Sequence, residues 1–309
     1  MKKLLLLLPA LLFPTFNFAQ VVINEIMQSN IDCIMDDLND FPDSWVEIYN
    51  GTSEAINLNN YRIGLTDDVS AAYRLPSKQV APQGYAIIYC DKVASGFHTD
   101  FRLDSGKGAL YLFSNNAIVD KIEKIAKQPA PNIAYGREKD GDSSFGYQET
   151  PTPGAANCGK ICKTLLGNPV FSIPGGVFES SKELNIELTL PEGSPEGTII
   201  RYTMNGSEPT MTSGYTYTEP IRVTNMTRII RAKLFCDGYL SPQSTVQSYI
   251  YLNREQTLPV ISIATDPKYL TDSKIGIYTE GNYDPNKKNY EYDWRRPMNI
   301  EFYETDGIT

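Results

Sequence analysis

The stretch Trp45-Val46-Glu47-Ile48-Tyr49 decides the fold class. Successive side chains of a β-strand point to opposite faces. Val46 and Ile48 therefore share one apolar face, and Glu47 puts a carboxylate on the other. Outward from it, similar short runs recur at Val21 to Ile26, Tyr61 to Leu65, Tyr85 to Tyr89 and Ala109 to Phe113. Each is rich in Val, Ile, Tyr or other strand formers and is bounded by turn residues, the pattern of many short strands. Turns are expected at Pro82-Gln83-Gly84 and Asn115-Asn116. The block closes at Thr150-Pro151-Thr152-Pro153-Gly154, where two prolines forbid a continuing ladder. Helical periodicity is nearly absent, so the chain is all-β.

Residues 158–168 read as a linker, with Gly159 and Gly167. A second block, residues 169–252, predicts strands at Leu184 to Leu190, Thr198 to Met204, Ile221 to Thr224, Thr227 to Phe235 and Thr245 to Tyr251. Asn205-Gly206 is its strongest turn signal, since both residues tolerate positive φ. Gly175-Gly176 lacks the Lys and Ser/Thr of a phosphate loop and reads as a turn. The last segment, 253–309, predicts strands at Val260 to Thr265, Ile275 to Thr279 and Asn299 to Tyr303, with a hairpin turn at Asp306-Gly307. So few residues make a poor core of their own. The expected architecture is two consecutive immunoglobulin-like β-sandwich domains, at 20–157 and 169–252, followed by an incomplete third segment.

Residues 1–19 read as a signal peptide: Lys2 and Lys3, an apolar run from Leu4 to Phe13, and small Ala19 before the mature start. The run is shorter than the roughly 18 to 20 residues that cross a bilayer. No later stretch is apolar for long enough, so no membrane span is expected after cleavage. The formal net charge of -9 argues against nucleic acid and anionic membranes as partners. The same acidity suits divalent cations. Five cysteines in an oxidising compartment leave at least one without a partner in the chain. Cys158 and Cys162 are placed to close a small loop, and Cys33 and Cys90 to form a long-range bridge. One histidine and no CxxC pair disfavour zinc.

Three resemblances sharpen this picture. The first block resembles the lamin-tail domain family, an immunoglobulin-like sandwich also found in exported bacterial proteins. Its carriers are Val22-Ile23-Asn24-Glu25-Ile26, Trp45 to Asn50, Leu58 to Tyr61, Leu75-Pro76, Pro82 to Tyr85, Tyr135-Gly136-Arg137 with Asp140-Gly141, and Pro151 to Asn157. The second block is similar to the chitobiase C-terminal, or fibronectin-associated, repeat. Phe171-Ser172, Pro174 to Gly176, Ile200 to Thr210, Ile230 to Ala232 and Gly238 to Pro242 carry that likeness, which implies a cell-surface context. The last segment is similar to the opening of the CotH kinase-like family, through Leu258 to Ile263, Asp266-Pro267, Gly276 to Tyr278, Trp294 to Pro297 and Glu301 to Tyr303. That family's phosphate- and metal-binding residues would lie beyond residue 309. The likeness therefore implies kinase activity only for a longer protein.

The candidate binding residues are Asp32, Asp36, Asp37, Asn39, Asp40 and Asp43, on a loop between two strands. Oxygen side chains this dense are what calcium requires, although the spacing is not that of an EF-hand. Glu25 and Glu47 on the flanking strands would complete a shell if they face the loop. The same composition also suits a solvated acidic loop. Glu25 and Glu47 are weighed as a hydrolytic acid–base pair as well, and the lamin-tail likeness makes them structural instead. His98 sits in a loop with no nucleophile elbow nearby. Tyr215, Tyr217 and Tyr239 are candidates for a sugar-stacking platform, though Tyr is also a favoured strand residue. No catalytic residue is assigned. The expected function is an exported, non-catalytic adhesion or scaffold region that positions a C-terminal domain, with calcium as the one candidate cofactor and a surface protein or polysaccharide as partner. The alternatives are the targeting arm of an exported CotH-type kinase and a carbohydrate-binding module. The oligomeric state is not written in the sequence.

Overall fold

A computed structural model describes residues 20–307 except 105, 107 and 242. The expected signal segment, 1–19, lies outside the described residues. The chain is nearly all β, with two consecutive immunoglobulin-like sandwiches followed by a third β segment. No helix among the described residues is long and apolar enough to cross a membrane.

In the first sandwich a five-stranded sheet runs, in spatial order, Phe145–Gln148, Ala134–Arg137, Val21–Met27, Ser44–Asn50, Tyr85–Cys90. It packs on a four-stranded sheet that contains Tyr61–Gly64, Leu110–Ser114 and Ala117–Ile122. Ile23, Ile26, Val46, Ile48 and Ile88 meet Ile63, Leu110, Leu112 and Ile122 in one core. Asp120 ties the layers, accepting from Ile23 N at 2.7 Å and Arg137 Nη2 at 2.8 Å.

The ladder between Val21–Met27 and Ser44–Asn50 slips between Ile23 and Glu25: Ile23 opposes Ile48, and Glu25 opposes Glu47. Asn24 is the extra residue of a β-bulge, a device that re-aims side chains. It lets Ile23 and Ile26 both face the core while Asn24 and Glu25 turn to the outer face. That outer face, with Trp45 and Glu47, is buried too. Residues 28–43 cover one end, where Cys33 and Ile34 pack on Met27 and Trp45. The closing segment covers the other, where Thr152 and Gly154 donate to Glu25 and Glu47.

All five cysteines are free, which corrects the expected pairings. Cys90 lies in the inter-sheet core and Cys33 on the opposite face of the same sheet, so the two cannot meet. Burial, with Glu25 and Asp32 adding to it, pushes the Cys33 thiol up to about 12. Cys162 is held along the Phe145–Gln148 edge by a two-way backbone bridge with Tyr147, while exposed Cys158 lies against Lys160 O.

The second sandwich has a five-stranded sheet in the order Gly176–Glu179, Thr245–Leu252, Arg228–Phe235, Ile199–Thr203, Tyr215–Thr216. Its first pair is parallel. Two short pairs face it, Glu183–Ile186 with Ile221–Thr224 and Val170–Phe171 with Leu188–Thr189. Leu184, Ile186, Ile200, Val223, Ile230, Leu234 and Tyr249 form its core. Gly206 takes a φ of +80°, but the strand that pairs with Ile199–Thr203 after this turn is Tyr215–Thr216, so Asn205-Gly206 does not close a two-residue hairpin.

In the third segment Val260–Ala264 pairs with Asn299–Tyr303. Ile275 to Thr279 is not a strand. Ile277 N and Tyr278 N donate to Tyr269 O and Leu270 O, folding the chain back on the short Lys268–Thr271 helix. Gly307, at φ +79°, closes a turn on Glu304 O.

Candidate functional site

The acidic loop is pinned from within by Asn30. Its Nδ2 donates to Ile34 O at 2.8 Å and Pro42 O at 3.0 Å, and its Oδ1 accepts from Cys33 N and Ile34 N. Asp36 is nearly buried and accepts from Leu38 N at 2.8 Å and Asp40 N at 2.9 Å. One oxygen of Asp36, one of Asp91 and a ring nitrogen of His98 lie within 4.8 Å of one another. His98 is buried, with Nδ1 2.6 Å from Asp91 Oδ2 and Nε2 2.9 Å from Asp37 Oδ1. Burial works against the imidazolium, yet hydrogen bonds to Asp37 and Asp91 outweigh it and raise the His98 pKa above its ordinary value.

The other loop residues are drawn elsewhere. Asp32 takes Lys268 at 2.8 Å and also accepts from Asn132. Asp43 pairs with Arg102 at 2.6 Å. Asp40 accepts from Phe41 N at 2.8 Å. Asn39, at φ +60°, offers its carbonyl to Trp294 Nε1 at 3.3 Å. The loop thus brings Asp36 and Asp37 to His98 and Asp91, and turns Asp32 and Asn39 toward the third segment. A cavity of about 630 Å³ runs beside it, with Asp36, Asp40, Asp43, Asp91 and Asp104 on one side and Lys287, Trp294 and Arg295 on the other. The nitrogen–oxygen set of Asp36, Asp91 and His98 suits a small divalent cation.

Glu25 and Glu47 face away from this group, toward residues 150–157. Neither has any exposed surface, so no sugar ring reaches them as it would a hydrolytic pair. Burial, partly offset by hydrogen bonds from Thr152, lifts Glu25 to about 7. The same cause, offset by Asn24 and Gly154, lifts Glu47 to about 8. Of the tyrosine platform, Tyr217 and Tyr239 pack against the second core, and exposed Tyr215 lies 5.4 Å from Tyr202, ring to ring.

Sequence reasoning missed the partners in the third segment. Arg296 stacks over Phe41 at 4.5 Å and donates to Ile31 O at 2.8 Å. Trp294 meets Phe41 edge-on at 5.0 Å. The run Trp294-Arg295-Arg296 was the available signal, since guanidinium and indole groups so close together favour a stacked contact. Asp91 carried no signal of its own; the turn after Cys90 brings it to His98.

Fold and geometry together define a tandem of immunoglobulin-like modules of families compatible with non-catalytic roles. The sequence profile of the Lamin Tail Domain matches residues 14–126. The profile of the Chitobiase/beta-hexosaminidase C-terminal domain matches residues 173–248. The first match ends before Ala134–Arg137 and Phe145–Gln148, which nevertheless belong to the same sheet. Neither profile reaches the third segment. No curated protein and no solved structure matches the chain.

Proposed function

We propose that the two sandwiches, with limits at 20–157 and 169–252, are an exported, non-catalytic scaffold that holds the third segment in a fixed position outside the cell. The observation that carries this is the seating of that segment on both modules. On the first it uses the Lys268–Asp32 ion pair and the Arg296 and Trp294 contacts with residues 31–41. On the second, Glu301 accepts from Ser248 Oγ at 2.5 Å, Tyr303 donates to Ser248 O at 3.1 Å, and Asp266 accepts from Glu208 N at 2.8 Å. A cavity of about 290 Å³ sits at the junction, lined by Asn132, Arg231 and Lys268 from the three parts. The chitobiase-type module, at home in extracellular glycosidases, supports an extracytoplasmic setting. A surface protein or polysaccharide is the partner class such a scaffold serves.

Gly175 makes the reading testable. A Cβ there would lie 2.6 Å from Tyr303 Oη, 2.8 Å from Ser248 O of the second sandwich's own sheet and 2.9 Å from Glu301 Oε1. Gly175→Ala should strip hydrogen-exchange protection from residues 260–303 while the first sandwich, and the second core away from Ser248, stay protected. Unchanged protection, or a third segment already unprotected in the wild type, would refute a fixed seat.

The kinase-arm reading has one observation in its favour. The third segment's two strands leave Ile261, Ile263, Ile300 and Phe302 exposed on one face, with Ile261 opposite Phe302 and Ile263 opposite Ile300. Further chain of a CotH-type domain would cover such a face. A longer reading frame whose product transfers phosphate from ATP would establish it, and a stop codon after Thr309 would end it.

A further inference from the structure

Asp36, Asp91 and His98 come from three separate places in the chain, and local backbone bonds hold each of them in position. Ser95 and His98 exchange both of their backbone hydrogen bonds at 3.0 Å, and Thr99 N donates to Tyr89 O at 2.8 Å, which laces the His98 loop to strand 85–90. The His98 ring lies 4.9 Å from that of Tyr89. Asp91 is braced by Val93 N, which donates to its Oδ1 at 3.1 Å. Asp36 takes its bonds from Leu38 N and Asp40 N both on Oδ1, which leaves Oδ2 outside the turn.

Two further observations point to a cation here. A neutral imidazole has one N–H to give, yet Nδ1 of His98 lies 2.6 Å from Asp91 Oδ2 and Nε2 lies 2.9 Å from Asp37 Oδ1. One of these contacts therefore needs a positive charge, either a second proton or a metal ion. The other observation is access. Asp36 and Asp91 both line the cavity of about 630 Å³, along which carboxylates outnumber basic groups. An ion that reaches those two carboxylates is within reach of the imidazole, since the three ligand atoms lie within 4.8 Å of one another. Ligands about 2.0–2.2 Å from a shared ion stand at most about 4.4 Å apart. Small rotations of the two aspartates close the set.

We propose that Asp36, Asp91 and His98 hold one first-row divalent cation of the zinc class, with water from the cavity completing its shell. One ring nitrogen binds the ion and the other keeps its N–H on a carboxylate, as metal-bound imidazoles do. Imidazole selects such cations over calcium. Calcium takes about six to eight oxygens, and the loop cannot supply them, because Lys268 holds Asp32 and Arg102 holds Asp43. Two carboxylates thus stand in for the cysteines and further histidines whose absence from the sequence disfavours zinc. The ion would tie the loop of residues 28–43 to residues 91–98. The inference stands independently of the scaffold reading.

The test is calorimetric titration of Zn²⁺, Mn²⁺ and Ca²⁺ into the untagged, chelator-stripped chain. One saturable Zn²⁺ per chain is expected, with Mn²⁺ weaker and Ca²⁺ weakest. His98→Gln and Asp91→Asn should each weaken Zn²⁺ binding about tenfold or more. Asp43→Asn, on the same cavity but paired with Arg102, should leave it unchanged. Should the variants fold poorly, NMR of the wild type decides. His98 is the one histidine of the chain, so its ring signals are unambiguous, and they should shift to an end point at one equivalent of Zn²⁺. Zinc held by thiols such as exposed Cys158 would leave those signals unmoved. Unmoved His98 signals, absence of saturable Zn²⁺ binding, Ca²⁺ binding as tight as Zn²⁺, or an Asp43→Asn loss as large as that of Asp91→Asn would each overturn the proposal.

Discussion

The two sandwiches share a plan and differ in what they put out of water. The second buries Leu184, Ile186, Ile230, Leu234 and Tyr249, with only small hydroxyls such as Thr203, Ser241 and Ser248 among its buried polar residues. The first buries Asn24, Glu25, Glu47, His98, Arg137 and Gln148 as well as a larger apolar core. Buried carboxylates weaken a fold unless something specific satisfies them. The comparison separates the two: the buried titratable groups sit in the first module, the second is an apolar platform, and both touch the third segment.

The largest effect that tests this contrast is in the platform. Ile230 is fully buried in the second core, and Ile230→Ala should cost about 2–5 kcal/mol. In urea unfolding, followed at several pH values, that loss should be the same at each. A strong pH dependence of the second module's transition would break the contrast.

The next effect belongs to the first module and should depend on pH. Glu25 at about 7 and Glu47 at about 8 stand above the ordinary carboxylate value of 4.5. The folded state then binds more protons than the unfolded state between those values. The stability that their protonation contributes is fully present below about 4.5 and is lost as pH rises through 7 to 8. His98, also raised, acts with the same sign. Thermal melts should show the first module's Tm falling from pH 5 to 8. A first-module Tm that rises over that range would sink the argument.

The smallest effect concerns the seat of the third segment on the first module. The Lys268–Asp32 pair is half exposed on the lysine side, and such pairs contribute about 1 kcal/mol or less. A double-mutant cycle of Asp32→Asn and Lys268→Met should return a coupling in that range and leave the seat intact. A much larger value would move the weight of docking from the stacked Arg296 and Trp294 to this ion pair.

Much of the fold was legible in single strands. Trp45 to Tyr49 alternates, and it pairs as a central strand on both sides. Ala134–Arg137 and Phe145–Gln148 were not legible as strands, because Gly136 and Gly146 dilute their signal. Both glycines are there for close approach: a Cβ on Gly136 would meet Asn24 O at 3.0 Å, and one on Gly146 would meet Ile161 Cβ at 2.8 Å. The acidic loop was legible as a concentration of oxygens. Its division between His98 and the third segment was not, since Asp37 and His98 meet across 61 positions and Lys268 and Asp32 across 236.

The sequence by itself determined the class of the protein. Period-two alternation, punctuated by Gly, Pro, Asn and Asp, leaves short strands as the way to bury these apolar residues, and a sandwich follows. It also put Glu25 and Glu47 on neighbouring strands. Only the tertiary structure decided what those carboxylates face. Alternation specifies a side of a strand but not what covers it, and here the cover comes from residues 150–157, more than a hundred positions away. The one-residue bulge at Asn24 completed the choice by turning Asn24 and Glu25 to the same face. No periodicity announces such a bulge, because it is fixed by the register of the partner strand.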